Sequence, residues 1–137
     1  MCRFASVCFL ILLLAATVFT QSPAKPHPRG IMLDPFAQKS VDLFQGPPET
    51  ITMRSGYVVL APGHSVGKHS TKDYEEVVTI LSGNGEMRIT GGDTLKLRQY
   101  SVGYCPPQTE HNVFNTGTDT LRYIWLVARV PGHPIGN

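Results

Sequence analysis

The sequence predicts an all-β domain, a sandwich or barrel of short antiparallel strands, and three observations lead to this prediction. The chain from residue 49 onward divides into short segments rich in Val, Ile, Tyr and Thr, residues that favour strands. Turn-forming pairs separate these segments, such as Pro62–Gly63 and Gly91–Gly92. No stretch in residues 21–137 repeats its apolar positions with the period of a helix, so almost no helix is expected.

The candidate strands of this domain follow one another closely along the chain. They lie at residues 51–60, 65–70, 75–82, 85–90, 94–98, 102–105, 111–116 and 120–129. Residues 31–47 hold further apolar side chains, which predict one edge strand packed on the body. The predicted organisation is therefore an extended arm with this edge strand at residues 21–48, a β-barrel at residues 49–130 and a tail at residues 131–137.

The N-terminus has the pattern of a secretory signal peptide. Arg3 precedes an uncharged apolar run that extends to Thr20, and small residues follow. Residues 1–20 are therefore predicted to be removed near Thr20 or Ser22, which would make the protein secreted or periplasmic. The alternative is an uncleaved membrane anchor, although the run is short for a membrane span.

The charge of the chain excludes some classes of partner. Basic and acidic residues nearly balance, with 12 Lys and Arg against 10 Asp and Glu, and the basic residues are scattered. A protein that binds nucleic acid or an anionic membrane surface usually clusters its positive charge on one face. We therefore expect no nucleic-acid partner and, once the signal peptide is removed, no membrane partner.

Cysteine content predicts a domain without an internal disulfide. Cys2 and Cys8 lie in the signal peptide, so Cys105 remains alone in the mature chain. A lone cysteine most often packs as a small hydrophobic residue. If Cys105 points inward, it could instead be a soft metal ligand or an oxidisable thiol.

Two of the candidate strands are apolar on both faces. Residues 77–81 and 123–127 carry apolar side chains at successive positions, whereas a strand with one solvent-exposed face should alternate. The outer face of the sheet therefore needs a cover. The N-terminal arm or a second subunit could supply it, and we predict a homodimer.

Two histidines and one glutamate stand at positions where a barrel can bring them together. His69 and Thr71 are two residues apart and so face the same side of a strand. Glu76 begins the next strand, and His111 begins another after a Pro-Pro loop. Two imidazoles and a carboxylate can form a facial triad that suits non-haem iron or zinc and leaves positions open for water, dioxygen or a substrate oxygen.

The stretch around these residues resembles the first motif of the cupin superfamily. That motif is glycine, five residues, His-x-His, three or four residues, glutamate, six residues and glycine. Here Gly63, His69, Thr71, Glu76 and Gly83 occupy its fixed positions, so Thr71 stands where the family usually has its second histidine.

The second cupin motif is proline-x-glycine, two residues, histidine, three residues and asparagine. Pro106, Gln108, His111 and Asn115 occupy its positions, so Gln108 replaces the usual glycine. The resemblance covers roughly residues 50–130. It implies a double-stranded β-helix, or jelly-roll barrel, with His69, Glu76 and His111 as ligands of a divalent metal ion.

The identity of this metal stays open among Zn, Mn, Cu, Ni and Fe. With Thr71 in place of a histidine, we expect weaker binding than with three histidines. A signal peptide without twin arginines indicates export before metal loading, which disfavours easily oxidised Fe(II). The alternative is a degenerate site, in which the same side chains lie inside the barrel without a metal.

Further residues are candidates for a supporting role around the site. Thr71, Gln108, Asn115 and Cys105 are predicted to contact the ligands or to orient a substrate, with a turn as the other role for Asn115. The aromatic residues Tyr57, Tyr104, Phe114, Tyr123 and Trp125 are candidate pocket walls, although packing in the core would explain them equally well. Glu75 has the wrong strand parity for the site and is expected to be exposed. His64 has the opposite parity to His69, and a ligand or proton-shuttle role is its alternative.

Two functions fit these observations. The first is a metal-dependent enzyme, an oxygenase or isomerase that acts on a small molecule. The second is a non-catalytic module that binds a small molecule, with or without metal. The sequence contains no nucleophile motif, phosphate-binding loop or CxxC pair, so it gives no support to a hydrolase, nucleotide-binding or thiol-redox function.

Overall fold

Two antiparallel β-sheets form the body of the protein. The computed structural model describes residues 25–132, and these contain strands but no helix. In chain order the strands are β1 (Val41–Gln45), β2 (Arg54–Leu60), β3 (His69–Ser70), β4 (Tyr74–Ser82), β5 (Asn84–Ile89), β6 (Thr94–Arg98), β7 (Val102–Cys105), β8 (Glu110–Asn115) and β9 (Leu121–Arg129). The prediction of an all-β fold is confirmed.

The two sheets differ in size and share the ligands of the candidate site. The larger sheet has the strand order β1-β2-β9-β4-β7, and the smaller sheet has the order β3-β8-β5-β6. Neighbours in the sheets are mostly distant in sequence, as when β9 lies between β2 and β4. The polypeptide therefore crosses repeatedly between the sheets, and this brings distant strand ends to one mouth.

Most strands lie where the sequence predicts them, and two bounds need correction. The predicted strand at residues 65–70 is reduced to His69–Ser70, with Ser65 in an isolated bridge to Phe114. Gly67 lies between them with a φ of 93°, a backbone conformation that interrupts a strand. The predicted strand at residues 51–60 begins only at Arg54, because turns and bends occupy residues 47–52.

The core lies between the sheets, on the inward-facing positions of alternating strands. Along β4, for example, Val78 and Ile80 are fully buried while Val77 and Thr79 are only half-buried. The core cluster consists of Leu60, Val78, Ile80, Met87, Leu97, Cys105, Val113, Leu121 and Tyr123. It fills one end of the space between the sheets, so a cavity can remain at the other end.

The segment before the barrel contacts strands β2 and β9 of the larger sheet. Tyr57 donates its hydroxyl hydrogen to the carbonyl of Asp34 (3.3 Å), and Arg122 donates to the carbonyl of Ala37 (3.1 Å). The predicted signal peptide at residues 1–20 lies outside the described residues, as does residue 133 onward of the predicted tail. Within residues 25–132, no helix has the length and apolar character to cross a membrane.

Candidate metal centre

Three side chains from the two sheets converge at the mouth of the barrel. His69 and His111 pair directly across β3 and β8 in the smaller sheet, whereas Glu76 comes from β4 in the larger sheet. One nitrogen from each histidine and one carboxylate oxygen all lie within 4.8 Å of one another. The two imidazole rings are 4.3 Å apart at their centroids and tilted by 59°.

His111 is the buried member of the cluster. Its Nδ1 lies 3.3 Å from the carbonyl oxygen of Thr109, which can only accept a hydrogen bond, so Nδ1 carries the proton and Nε2 is left with a free lone pair. Nε2 is 3.1 Å from Oε2 of Glu76 but is too poorly aligned for a hydrogen bond, and it has no other partner in residues 25–132. A buried nitrogen without a partner is costly, and a proton shared with Glu76, a water molecule or an ion would satisfy it.

His69 has the same tautomer as His111, with the proton on Nδ1. Its Nδ1 lies 2.9 Å from the carbonyl oxygen of Gly67, which leaves Nε2 free and 3.9 Å from Oε2 of Glu76. Its side chain is 46% exposed, whereas that of Glu76 is 8% exposed. The cluster therefore has one solvent-facing ligand, through which an ion can reach the two buried ones.

These donors fit a divalent transition metal. Metal-binding histidines usually donate their second ring N–H to a carbonyl or carboxylate, which fixes the tautomer and the direction of the ring, and both histidines do so here. A carboxylate completes a set of two nitrogens and one oxygen.

The ionisation of His111 depends on its neighbours. Burial lowers the pKa of His111, but the contact with the Glu76 carboxylate, its charge and the Thr109 carbonyl together raise it by more. The net pKa of His111 therefore lies above its usual range. A proton therefore competes with any added metal ion for Nε2 of this imidazole.

A cavity of about 370 Å³ opens beside the cluster, at the small end of the range typical of ligand pockets. His69, Thr71 and Glu76 form part of its wall. Apolar side chains form most of the remainder: Val58, Val66, Val113, Tyr123, Trp125 and Val127. The open side of the cluster thus faces a space that can hold a small molecule.

Thr71 contacts the backbone of the loop that precedes β8. Its hydroxyl donates to the carbonyl of Pro106 (2.8 Å) and accepts from the backbone N–H of Thr109 (2.9 Å). Because its hydrogen is already donated, this hydroxyl can only accept a hydrogen bond from a ligand. The same contacts position Thr109, whose carbonyl orients the His111 ring. Thr71 therefore helps to position the candidate ligand His111 and is not itself a candidate ligand.

Gln108 and Asn115 lie away from the cavity wall. Gln108 is exposed with a φ of 58°, a conformation in which glycine is usual, and its backbone N–H donates to the carbonyl of Lys72 (2.7 Å). Asn115 is buried, donates to the carbonyls of Leu60 and Asp119, and accepts from the N–H of Gly117. The prediction that these two side chains orient a substrate is corrected, and Asn115 has the turn role that was its alternative.

Cys105 points inward, beneath the cluster. Its Sγ lies 3.4 Å from Nδ1 of His111, on the side of the ring opposite the free lone pair, and it is not among the converging ligand atoms. Burial and the charge of Glu76 raise the pKa of the Cys105 thiol to about 11. The residue is therefore a buried neutral thiol that packs against a candidate ligand.

This burial predicts that Cys105 is chemically inert in the folded protein. We expect iodoacetamide at pH 8 to leave Cys105 unmodified in native protein and to alkylate it fully after unfolding in guanidinium chloride, because only an exposed thiolate reacts quickly. Peptide mass mapping resolves Cys105 from Cys2 and Cys8. Rapid alkylation under native conditions would contradict the buried position.

The predicted aromatic wall is confirmed for Tyr123 and Trp125, Tyr57 has the core-packing role that was its alternative, and Tyr104 and Phe114 lie outside the cavity. Tyr123 and Trp125 line the cavity. Tyr57 is buried on the opposite face of β2, Tyr104 is 51% exposed, and Phe114 faces outward under the guanidinium of Arg88. Glu75 is exposed, as its strand parity predicts, and His64 is exposed as well.

Two basic residues on the cavity wall escaped the sequence prediction. Arg54 shares the inward face of β2 with Val58, and Lys72 follows Thr71 in the loop between β3 and β4. Arg54 is four residues from Val58 on the same strand, so strand alternation could have predicted that both face inward. Lys72 gave no such signal, because its position depends on a positive φ of 51°.

Comparison with known families agrees with this fold and these motifs. The sequence model of the cupin domain matches residues 56–127, more than half of the 137-residue chain. The chain belongs to the cupin family. The matched region contains all three residues of the cluster. A search of curated protein sequences gave no significant match to this cupin.

Solved structures with the same fold come from distant relatives. A cupin-family protein from Methanocaldococcus jannaschii, described as RmlC-like with a double-stranded β-helix fold, matches with a TM-score of 0.62 and 17% identity over 74% of this chain and 91% of its own. A predicted oxalate decarboxylase from Thermotoga maritima matches with a TM-score of 0.61 and 23% identity over 66% of this chain and 79% of its own.

The cupin domain of Schizosaccharomyces pombe Cnp3 matches with a TM-score of 0.60 and 20% identity over 66% of this chain. This chain spans 64% of the length of that domain. At such identities the matches establish the double-stranded β-helix fold and leave the activity open.

Proposed function

We propose that this cupin binds one divalent metal ion through His69, Glu76 and His111 and acts on a small molecule in the adjoining cavity, as an oxygenase or isomerase. The observation that carries the proposal is the buried Nε2 of His111, which has no hydrogen-bond partner among the described residues and lies 3.1 Å from the Glu76 carboxylate. A bound metal would polarise a substrate oxygen as a Lewis acid or, if redox-active, supply electrons for oxygen chemistry.

The chain's own residues have three tasks in this proposal. The carbonyls of Gly67 and Thr109 keep the Nδ1 protons on the two histidines, so that both Nε2 lone pairs stay available. The apolar walls exclude water from the substrate. The phenol of Tyr123 has a pKa raised by burial and by the charge of Glu76, so it remains a neutral hydrogen-bond donor on the cavity wall.

Metal analysis followed by turnover assays tests this proposal. Metal-stripped protein is incubated separately with Zn²⁺, Mn²⁺, Cu²⁺, Ni²⁺ and anaerobic Fe²⁺, desalted and analysed by mass spectrometry for bound metal. We expect about one ion per chain for at least one metal, as for other sites of this donor set. Oxygen uptake with catechols, thiols and diketones then separates oxygenase from isomerase chemistry. Failure to retain any of the five metals would refute the proposal.

A non-catalytic binding module is the second candidate function. It is favoured by the acid–base content of the cavity, because Glu76 is the only carboxylate among the described residues that line it. If Glu76 binds metal, no second carboxylate remains to act as a general base. Tight binding of a small molecule without turnover in the metal-loaded protein would identify this function.

The raised pKa of His111 predicts that metal affinity depends on pH near neutrality. Because the pKa of His111 in the folded protein lies above the usual value of about 6.5, protonation of His111 stabilises the fold. This stabilisation is fully present below the usual pKa and is lost as the pH rises through the folded-state pKa. Metal binding needs the neutral imidazole, so affinity should fall as the pH drops through the same range, by about tenfold per unit below the folded pKa. Zn²⁺ titrations at pH 6, 7 and 8 measure this slope, and a flat profile would contradict it.

Export and dimer formation are part of the proposal. The signal-like segment at residues 1–20 supports a secreted or periplasmic protein, and cell fractionation with N-terminal sequencing of the mature protein tests this.

The outer face of the larger sheet supports a homodimer, because Val77, Ile124 and Leu126 are only half-buried there and Val102 is 65% exposed. A monomer mass by light scattering at micromolar concentration would remove the dimer.

A further inference from the structure

The cavity beside the metal cluster has an unusual balance of charge. Arg54 and Lys72 are its permanently charged basic residues, and Glu76 is its only acidic residue among those described. The carboxylate of Glu76 already belongs to the metal cluster. A divalent ion bound there would leave a net positive charge on the cluster itself, which adds to the two basic side chains.

Neither basic side chain is neutralised by a carboxylate of the described chain. Arg29, Lys68, Arg88, Lys96 and Arg129 each form an ion pair. Within residues 25–132, no ion pair involves Arg54 or Lys72, and both are exposed side chains that line the open part of the cavity. A cavity with unpaired positive charge attracts an anion.

A row of residues across the larger sheet aligns Arg54 with the cluster. Arg54 pairs with Val127 between β2 and β9, and Val127 pairs with Glu76 between β9 and β4. Two strand spacings therefore separate Arg54 from Glu76, or roughly 10 Å between their backbones. A ligand of a few bonds can lie above Val127, with one end near the guanidinium and the other near the metal cluster.

Tyr123 adds a neutral hydrogen-bond donor to the same space. The residue is only 2% exposed, and its side chain lines the cavity. A phenol donates one hydrogen bond, which an acceptor atom on a bound ligand can receive.

The remaining wall favours a ligand with an apolar body. The indole of Trp125 lies against the backbone of Gly56, since a Cβ added to that glycine would be 2.5 Å from the indole Nε1. This contact fixes the ring within the wall of the larger sheet. Val66 and Val113 line the cavity from the smaller-sheet side, so an apolar body placed between them and Trp125 meets apolar side chains.

We propose that the cavity binds a small organic monocarboxylate with an apolar body, such as an aromatic acid. Its carboxylate lies between Arg54, Lys72 and the metal cluster, its ring lies between Trp125 and the valines, and Tyr123 donates to one of its oxygens. This inference rests on the proposed function, because it assigns a ligand class to the same site.

Benzoate and benzamide test the inference, since they have nearly the same shape and differ in charge. Each is titrated into the full-chain, metal-loaded protein by calorimetry and by Trp fluorescence excited at 295 nm, where the single Trp, Trp125, reports directly from the cavity wall. We expect benzoate to bind about tenfold more tightly than benzamide, the scale of one charge-assisted hydrogen bond. Arg54→Gln should reduce this preference to about threefold or less. Arg98→Gln, an exposed arginine on β6 outside the cavity, should leave it unchanged.

The result separates the inference from the proposed function. Metal binding with equal affinity for benzoate and benzamide, or an unchanged preference in Arg54→Gln, overturns the carboxylate inference and leaves the metal site intact. If no metal binds, the proposed function fails, and the metal-free protein decides the inference. There an Arg54-dependent preference for benzoate supports it, and the lack of one overturns it.

Discussion

Replacing both His69 and His111 with alanine should abolish metal binding. The two imidazoles supply two of the three converging ligand atoms, and a single carboxylate on the wall of a cavity does not hold a transition metal against desalting. We expect retained metal to fall from about one ion per chain to background. Mass spectrometry of the desalted double variant, loaded beside the parent protein, measures this loss.

His64→Ala is the matched control for this experiment. His64 lies close to the cluster in sequence but is exposed, and its Nδ1 lies 3.0 Å from the carbonyl of Pro62, away from the converging atoms. We expect parental metal content in this variant. Circular dichroism establishes that each protein is folded, and His69→Ala alone separates ligand loss from structural damage because His69 is exposed. Full metal retention in a folded double variant would refute the site.

Gly83→Ala should strongly destabilise the barrel. Gly83 connects β4 to β5 with a φ of 83°, and an added Cβ would lie 2.7 Å from the carbonyl oxygen of Thr120 and 2.8 Å from Cα of Leu121. These are backbone atoms, which cannot move aside as a side chain can. The left-handed conformation and the overpacking together should cost about 3 kcal/mol or more. Urea unfolding of the parent and the variant measures the difference.

Gly91→Ala separates the two contributions to this cost. Gly91 has a similar φ of 70°, but an added Cβ would meet nothing within 4 Å. Gly91→Ala should therefore lower the free energy of unfolding only by the cost of the left-handed conformation, about 1–2 kcal/mol. Equal losses in the two variants would mean that the contact with β9 does not matter.

The sequence was enough to predict the strands because most of them alternate or are bounded by strong turns. β6 and β7 have the predicted bounds, and β4, β5, β8 and β9 differ by one residue at most at each end. The prediction was wrong where backbone conformation, rather than side-chain pattern, ends a strand. Gly67 has a conformation that no local pattern of apolar residues reveals, so β3 was predicted too long.

The residues of the candidate site were predictable from motif spacing, whereas their surroundings were not. Strand parity and order bring His69, Glu76 and His111 to one mouth. The carbonyls of Gly67 and Thr109, which set both tautomers, come from irregular segments whose direction is fixed only by tertiary contacts. Gln108 was predicted to support the site, but its left-handed backbone turns its side chain towards solvent.

The three candidate ligands lie on opposing sheets, and this has a consequence for stability. The smaller sheet carries His69 and His111, and the larger sheet carries Glu76. One bound ion would therefore link the two sheets at the end that the apolar core does not fill. Loading should therefore raise the melting temperature in step with ion concentration and slow amide exchange in β3 and the start of β4 more than in the β5–β6 hairpin.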